Sequence, residues 1–347
     1  MQSSYSSRSD SLVYYVDHRD PNAATRAFRL LPHLPDNVTV LSEAVGLCRR
    51  LQRQGINVRS LNTFADQRQG AGSYPGEAVY DWILRHRPAT VLCDAPFESN
   101  DFAPGGIQLI RLRRPGYEPE ERLYRQYGNA HSVLSLATDW FESRQTPDWL
   151  RAKTYYTGCL PDPDCQSEDR EAARAACGFA PDKRYVVVLK ANAHSSFPLA
   201  QLAEAARHTP EHEWVRLGPI TNERLPDNLQ QVGMVPDRHT YLHAADVVVS
   251  DADETLLHHM AACGTPLICL PDPDARHAQH TYAHALRKRG VALAYDIFPP
   301  AFKWPSLLRR AAKMKRAPWP GFYAEDPGSR VQLFLEQLKS AQSAIGH

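Results

Sequence analysis

The sequence predicts an α/β protein made of two doubly wound domains, each with a mostly parallel sheet and a crevice at the carboxyl ends of its strands. Short β-branched runs alternate with stretches of helical apolar spacing along the chain, which is the pattern of βα units. A chain of 347 residues suggests two domains, and its 43% hydrophobic content suffices for two cores. The composition shifts at the Pro- and Asp-rich residues 158–165 (GCLPDPDC), which we interpret as the linker.

The first domain is predicted over residues 1–160. Its strands are predicted at 12–16, 38–41, 56–60, 90–93, 107–112 and 132–136. Its helices are predicted at 22–34, 43–54, 77–87 and 118–127, and the glycine-rich segment 67–76 is predicted to be a loop. Because parallel strands end at one edge of the sheet, residues that follow these strands are expected to line a crevice.

The second domain is predicted over residues 161–320, and residues 321–347 form a C-terminal segment with a helix at 330–340. Outside residues 246–274, its strands are predicted at 185–190, 213–217, 231–235 and 291–295. Its helices are predicted at 168–177, 198–208, 237–244, 277–289 and 301–315.

Residues 246–274 (DVVVSDADETLLHHMAACGTPLICLPDPD) contain a complete strand–helix–strand unit. A β-branched run at 247–249 is typical of a buried parallel strand, and either Asp251 or Asp253 can cap the helix that follows. The apolar face of this helix is predicted to comprise Leu256, Leu257, Met260 and Ala261. Gly264 is expected to end the helix, and residues 267–270 form the next strand.

Composition excludes several classes of protein. The formal net charge of +1 argues against a protein dedicated to nucleic acid, and no apolar run approaches the ~20 residues that span a bilayer. The N-terminal MQSSYSSRSD lacks the pattern of a secretory signal. Seven cysteines without a C-x-x-C pair indicate reduced thiols and a cytoplasmic location. Widely spread histidines without partners at metal spacing predict no metal site.

The order of residues in the second half resembles GT-B glycosyltransferases, in particular the family of the peptidoglycan lipid-intermediate GlcNAc transferase. The matching residues are Ala245-Asp246, the segment 261–266 (AACGTP), Pro271, Gln279 and Gly290. The resemblance implies a GT-B fold with two Rossmann-like domains that face a central cleft, in which the last helix packs back on the N-terminal domain. It also implies sugar transfer from a nucleotide-diphosphate donor, with UDP expected, and with neither a metal nor a separate cofactor.

The resemblance places the donor in the second domain. The diphosphate loop corresponds to residues 190–196, where helix N–H groups and the dipole favour an anion. The family's glycines are absent there, and His259 replaces the family's ribose-binding Glu, so Glu254 is the alternative ribose ligand. The predicted donor-binding residues are Lys190, Ser195, Ser196, Met234, Val235, Glu254, His259 and Gln279. The acidic residues 251, 253 and 254 are expected to repel a nearby phosphate.

The acceptor and the catalytic base are expected in the first domain. The family's loop H-G-x-G-H-A-T-R corresponds to residues 17–26, of which Ala24-Thr25-Arg26 match. His18 follows the first strand and has a pKa suited to a general base, and Asp17 or Asp20 can replace or orient it. Arg26 and Asp94 are the predicted acceptor-binding residues.

The interpretation is therefore a glycosyltransferase with an unidentified acceptor, either lipid-linked or a small molecule. One alternative is a non-catalytic binding or scaffold subunit of the same fold, which the lost glycines and His259 favour. A second is a nucleotide-sugar epimerase or hydrolase. Basic residues at 287–289 and 309–316 form either a solvated face or a contact with anionic lipid, so the protein is expected to be cytoplasmic, with peripheral contact at the inner membrane face as an option.

Overall fold

The computed structural model describes residues 11–16, 22–61, 77–94, 106–116, 121–161, 169–192, 197–272, 278–323 and 325–345, and the structural statements below concern these residues. The strands of the first sheet are β1 (Leu12–Tyr15), β2 (Thr39–Ser42), β3 (Val58–Ser60), β4 (Thr90–Cys93), β5 (Gln108–Leu112), β6 (Ser132–Ser135) and β7 (Thr154–Tyr156). The strands of the second sheet are β8 (Arg184–Val188), β9 (His212–Leu217), β10 (Leu229–Gly233), β11 (Val247–Ser250), β12 (Leu267–Cys269) and β13 (Leu293–Ala294).

The strand order of both sheets confirms the doubly wound α/β prediction. The first sheet has the order β3-β2-β1-β4-β5-β6-β7, and the second has the order β10-β9-β8-β11-β12-β13. Every described pairing is parallel. The direction of winding reverses beside β1 in the first sheet and beside β8 in the second. Ligands of open α/β sheets bind at such switch points, outside the carboxyl ends of the strands.

Helices cover both sheets. They are α1 (Ala23–Leu30), α2 (Val45–Arg53), α3 (Glu77–His86), α4 (Glu121–Asn129), α5 (Asp148–Lys153), α6 (Arg170–Ala176), α7 (Leu199–Arg207), α8 (His239–Ala244), α9 (Glu254–Cys263), α10 (Ala278–Arg289), α11 (Trp304–Ala311) and α12 (Pro327–Ile345). None of the helices in the described part of the chain has the length and apolarity needed to cross a membrane.

The hydrophobic cores lie on the two faces of each sheet. One core of the first sheet includes Val331 and Phe334 from α12, and the Phe334 ring lies 5.0 Å from the ring of Tyr155. The C-terminal helix therefore packs on the first sheet. A core of the second sheet includes Phe141 from the first half, whose ring lies 4.5 Å from that of Tyr282. The domain boundaries at residues 160 and 320 stay predictions.

The strand–helix–strand unit at 246–274 forms β11, α9 and β12. Asp253 caps α9 by accepting the Thr255 N–H at 2.9 Å. Of the two predicted alternatives, Asp253 is therefore confirmed as the cap and Asp251 is not the cap. Gly264 ends the helix with φ +62°, and a Cβ there would lie 2.2 Å from the backbone of Ala317. Only glycine combines this positive φ with so close a backbone approach.

Sequence patterns missed α5 and β7, which are six and three residues long. Both are too short for a periodic signal to emerge. The sequence also predicts one helix over 22–34, whereas α1 ends at Leu30 and the chain continues as a 3-10 turn over Leu31–His33 that contains Pro32. The loop predicted at 67–76 lies outside the described residues.

Candidate functional site

The candidate site lies where the carboxyl ends of β1 and β4 face the first turn of α9. Two polar contacts join the two halves of the chain there. The Thr255 hydroxyl donates to Asn22 Oδ1 at 2.9 Å, and a guanidinium nitrogen of Arg26 lies 3.8 Å from Glu254 Oε2. The N-terminus of α9 therefore closes directly against the N-terminus of α1.

Arg26 and Asp94, the predicted acceptor-binding residues, form a buried ion pair. The Nε and Nη2 groups of Arg26 donate to both carboxylate oxygens of Asp94 at 2.9–3.2 Å. Only 4% and 3% of the two side chains are exposed. Such bidentate, charge-assisted pairs are geometrically specific. The pair fixes α1 against the end of β4, and Glu254 extends it across the domain interface.

Lys190 lies at the end of β8, where the resemblance implies the diphosphate loop. Its Nζ donates to Asp272 Oδ2 at 2.6 Å and lies 5.1 Å from the centre of the Phe197 ring. The side chain of Lys190 is only 10% exposed, and that of Asp272 is 31% exposed. Because Asp272 neutralises the lysine, a phosphate that reaches Lys190 must displace this carboxylate.

Asp251 lies beside the same loop and uses one of its backbone donors. Its carboxylate accepts the Ala191 N–H at 3.2 and 3.3 Å and the Ser250 hydroxyl at 3.2 Å. Burial raises the pKa of Asp251, although these hydrogen bonds oppose the rise. The sequence predicts Asp251 close to a bound phosphate at the N-terminus of the helix. In the structure, the Asp251 side chain is buried instead, against the backbone of Ala191.

Gln279, on α10, connects the two acids. Its Oε1 accepts the Asp272 N–H at 2.8 Å, and its Nε2 lies 3.5 Å from Asp251 Oδ2. The amide therefore orients the segment that presents Asp272 to Lys190. Its predicted role as a sugar ligand is untested and stays a prediction.

Met234 and Val235, two of the predicted donor-binding residues, follow β10. Met234 is 52% exposed, and Val235 packs against the core of the second sheet. Gly233 has φ +90°, and a Cβ there would lie 3.2 Å from the side chain of Ile220, which is itself 62% exposed. Met234 and Ile220 thus offer an open apolar surface at the carboxyl ends of β9 and β10, suited to a flat ring.

The two candidate ribose ligands face different neighbours. The His259 ring lies 3.5 Å, centre to centre, from the ring of His239, nearly perpendicular to it. Glu254 faces Arg26 of the first domain. Their roles in ribose binding stay predictions.

The N-terminus of α9 concentrates negative charge. Burial, together with the neighbouring charges of Asp251 and Glu254, raises the pKa of Asp253 to about 6, against the hydrogen bond from the Thr255 N–H. These acidic side chains disfavour a phosphate close to the turn unless a cation compensates their charge. Lys190, at the adjoining strand end, is one such cation.

A small cavity lies in the domain interface, between the ends of β5 and β6 and the helices α9 and α10. Its volume is about 20 Å³, and its lining includes Arg26, Glu254, His258 and Tyr282. This volume suits one water molecule and no substrate. Burial holds the pKa of His258 well below its ordinary value, so the ring is neutral.

A larger groove, of about 1030 Å³, runs beside α12. Its lining includes Trp140, Tyr156, Asp326 and Arg330, and it contains none of the predicted site residues. It adjoins β7, the edge strand of the first sheet that contains Tyr156, away from the switch points at β1 and β8.

Five predicted residues lie outside the described residues. They are the candidate base His18 with Asp17 and Asp20, and the candidate phosphate ligands Ser195 and Ser196. Their roles stay predictions.

The sequence predictions missed three polar residues of the site. These are Asn22, which contacts Thr255; Asp272, which contacts Lys190; and Arg238, whose Nη1 donates to Ala191 O at 2.8 Å. Asp272 carried a usable signal, because it closely follows β12 and polar residues at strand ends line the crevice of a parallel sheet. The other two contacts depend on tertiary structure and leave no local pattern.

Comparison with known protein families and with curated proteins gave no match. Solved structures, by contrast, match over nearly the whole chain. A glycosyltransferase of kitacinnamycin shares 14% identity, covers 97% of this chain and 98% of its own, and gives a TM-score of 0.60. A glycosyltransferase from Rickettsia africae ESF-5 shares 10% identity over 96% and 98%, with a TM-score of 0.61. MurG from Acinetobacter baumannii shares 14% over 94% and 99%, with a TM-score of 0.58. At these identities the likeness shows the fold, and it confirms that this chain has the GT-B fold.

Proposed function

We propose that this protein is a glycosyltransferase that moves a sugar from a nucleotide-diphosphate donor, UDP-sugar in our proposal, to an acceptor nucleophile. The observation that carries this proposal is the position of Lys190, a cation at the carboxyl end of β8 and at the switch point of a GT-B fold. One structural neighbour, the glycosyltransferase VinC, was solved in complex with DTDP, which supports a nucleotide-diphosphate donor in this fold.

The donor is proposed to bind along the carboxyl edge of the second sheet. Lys190 exchanges Asp272 for the diphosphate, and the resulting charge pair stabilises the leaving group as its charge develops, without a metal ion. Ser195 and Ser196 add hydroxyl donors. The backbone at Met234 and Val235 holds the base, and Gln279 contacts the sugar.

The acceptor is proposed to bind at the carboxyl edge of the first sheet. His18 removes the acceptor proton, with Asp17 or Asp20 orienting it. Arg26 and Asp94 shape the acceptor side through their buried pair, and Glu254 connects it to α9. Closure of the two domains excludes water that would hydrolyse the donor. We propose a lipid-linked acceptor, with the protein in the cytoplasm and in peripheral contact with the inner membrane face.

One alternative is supported by a specific observation. Asp272 neutralises Lys190, and Asp251 occupies the N–H group of Ala191, so two donors of the expected phosphate site are already used. A non-catalytic scaffold protein of the same fold would retain such internal pairs permanently. A nucleotide-sugar hydrolase or epimerase would instead act on the donor without an acceptor.

Titration calorimetry with UDP distinguishes the enzyme from the scaffold. Replacing Asp272 with Asn removes the carboxylate that competes with the phosphate, and we expect UDP to bind about tenfold more tightly, equivalent to about 1.4 kcal/mol. Lys190→Gln should weaken binding by a similar factor. Glu213→Gln is the matched control, since it removes the acid of the Lys183–Glu213 pair at the opposite edge of the sheet.

The transferase, the scaffold and the hydrolase each predict a different result. No heat with any nucleotide, in wild type and in Asp272→Asn alike, contradicts the transferase and supports the scaffold. UDP release from a UDP-sugar without acceptor supports the hydrolase. Loss of transfer in His18→Ala with unchanged UDP affinity assigns the base, whereas unchanged turnover removes that role.

A further inference from the structure

A basic surface with two exposed apolar side chains lies on the second domain, around α11. Ile297 and Phe302 are 75% and 69% exposed, more than any other large hydrophobic side chain in the described part of the chain. The turn between them contains Pro299 and Pro300, which limit its backbone freedom. We define the docking surface as Ile297 and Phe302 together with the exposed basic residues Lys303, Arg309, Arg310 and Lys313.

The charged residues around α11 are basic, and Asp296, beside Ile297, is an exposed acid at the margin of the surface. Residues 301–316 include six basic residues and no acidic one. Arg316 turns inward and donates to the carbonyl oxygens of Ala245 and His243, which leaves five of the six toward solvent. The opposite face of α11 is buried in the core through Trp304, Leu307, Leu308 and Ala311. The helix is therefore amphipathic, and its outer face is basic.

The docking surface borders the rim of the proposed donor site. Tyr295 to Phe298 follow the carboxyl end of β13, at the same edge of the sheet as Lys190. The ring of Phe298 lies 6.3 Å from the ring of Phe197, and Phe197 in turn lies 5.1 Å from Lys190 Nζ. A ligand bound to this surface would therefore lie beside the entrance to the proposed donor site.

We propose that the docking surface binds anionic phospholipid, with Ile297 and Phe302 entering the headgroup region and the basic side chains contacting lipid phosphates. Exposed apolar side chains beside basic ones combine burial of apolar surface with electrostatic attraction to anionic lipid. Nucleic acid fits less well, because the whole chain is nearly neutral, whereas nucleic-acid-binding proteins usually carry a basic excess. This inference rests on the membrane contact proposed above and not on sugar transfer.

Cosedimentation with vesicles tests the inference. We expect the full-length protein to bind vesicles of phosphatidylcholine mixed with phosphatidylglycerol, to ignore pure phosphatidylcholine, and to dissociate as salt is raised. Each basic residue near such a surface contributes about fivefold in affinity, so Lys303→Gln with Arg309→Gln and Lys313→Gln should lose at least about tenfold. Ile297→Ser with Phe302→Ser should lose a comparable factor, because the apolar anchor is gone.

Matched controls separate the docking surface from general charge. Arg49→Gln with Arg53→Gln and Arg59→Gln removes three exposed basic residues of the first domain, and Leu84→Ser removes an exposed apolar side chain. Both controls should bind vesicles like wild type. The inference is overturned if wild type shows no preference for anionic vesicles, if the controls lose as much binding, or if RNA binds through these residues and vesicles do not. UDP titration of the same variants reports independently on the transferase proposal.

Discussion

Replacing Asp253 with Asn tests the electrostatics at the N-terminus of α9. Asparagine caps a helix about as well as aspartate, so the hydrogen bond from the Thr255 N–H is retained. The substitution removes only the charge. Burial, with the charges of Asp251 and Glu254, raises the pKa of Asp253 from 3.8 to about 6. The folded protein therefore carries this charge at a cost near neutral pH, and we expect Asp253→Asn to be more stable than wild type.

The magnitude follows from the raised pKa. A rise from 3.8 to about 6 corresponds to about 3 kcal/mol at 1.36 kcal/mol for each pH unit. The side chain retains partial contact with solvent, so we expect a gain of about 2 kcal/mol in the free energy of unfolding at about pH 7. Between the two pKa values the folded state binds more protons than the unfolded state. The stability contributed by Asp253 is therefore greatest below about pH 4 and is lost as the pH rises through about 6.

Urea unfolding of both proteins at about pH 4 and about pH 7 measures the effect. The matched control is Asp237→Asn, another acid that accepts helix N–H groups. Burial acts to raise the pKa of Asp237, but hydrogen bonds from Thr240 and from the His239 N–H hold it below its ordinary value. The control should therefore lose stability at neutral pH. An Asp253→Asn protein no more stable than wild type at about pH 7, or equally stabilised at both pH values, refutes the reasoning.

Three further substitutions test the packing and the donor site. Gly264→Ala should lower the free energy of unfolding, measured with urea, by about 3 kcal/mol or more, because its Cβ would clash with the backbone of Ala317 at 2.2 Å. A loss under about 1 kcal/mol contradicts this prediction. Asp94→Ala should cost about 3–5 kcal/mol in the same assay, because it removes the carboxylate that pairs with the buried guanidinium of Arg26. An unchanged free energy of unfolding would mean that water reaches the pair. Gln279→Ala should raise the donor KM in a transfer assay, and a normal KM would place the sugar elsewhere.

The fold was predictable because its signals are local. The Val-rich runs of β8 and β11 are buried in a parallel sheet, as their composition predicts. Gly264 ends α9 as its position after an apolar helix predicts. The choice between Asp251 and Asp253 as the cap was not predictable, since both precede the helix and only the path of the backbone decides between them.

The place of the candidate residues in the fold was predictable, whereas their contacts were predictable only in part. Lys190 lies at the expected strand end, but its pairing with Asp272 joins residues 82 positions apart. That contact depends on the strand order β8-β11-β12, which no local pattern specifies. The same holds for Thr255 and Asn22, which are 233 positions apart and meet only when the domains close.

A crystal structure of the complex with UDP tests the central claim, which is that the second sheet binds a nucleotide diphosphate at the end of β8. We predict the diphosphate within hydrogen-bonding distance of Lys190 Nζ, with the Asp272 carboxylate moved away and the base against the backbone at Val235. A structure at saturating UDP in which Lys190 and Asp272 remain paired and the nucleotide is absent from this edge contradicts the claim.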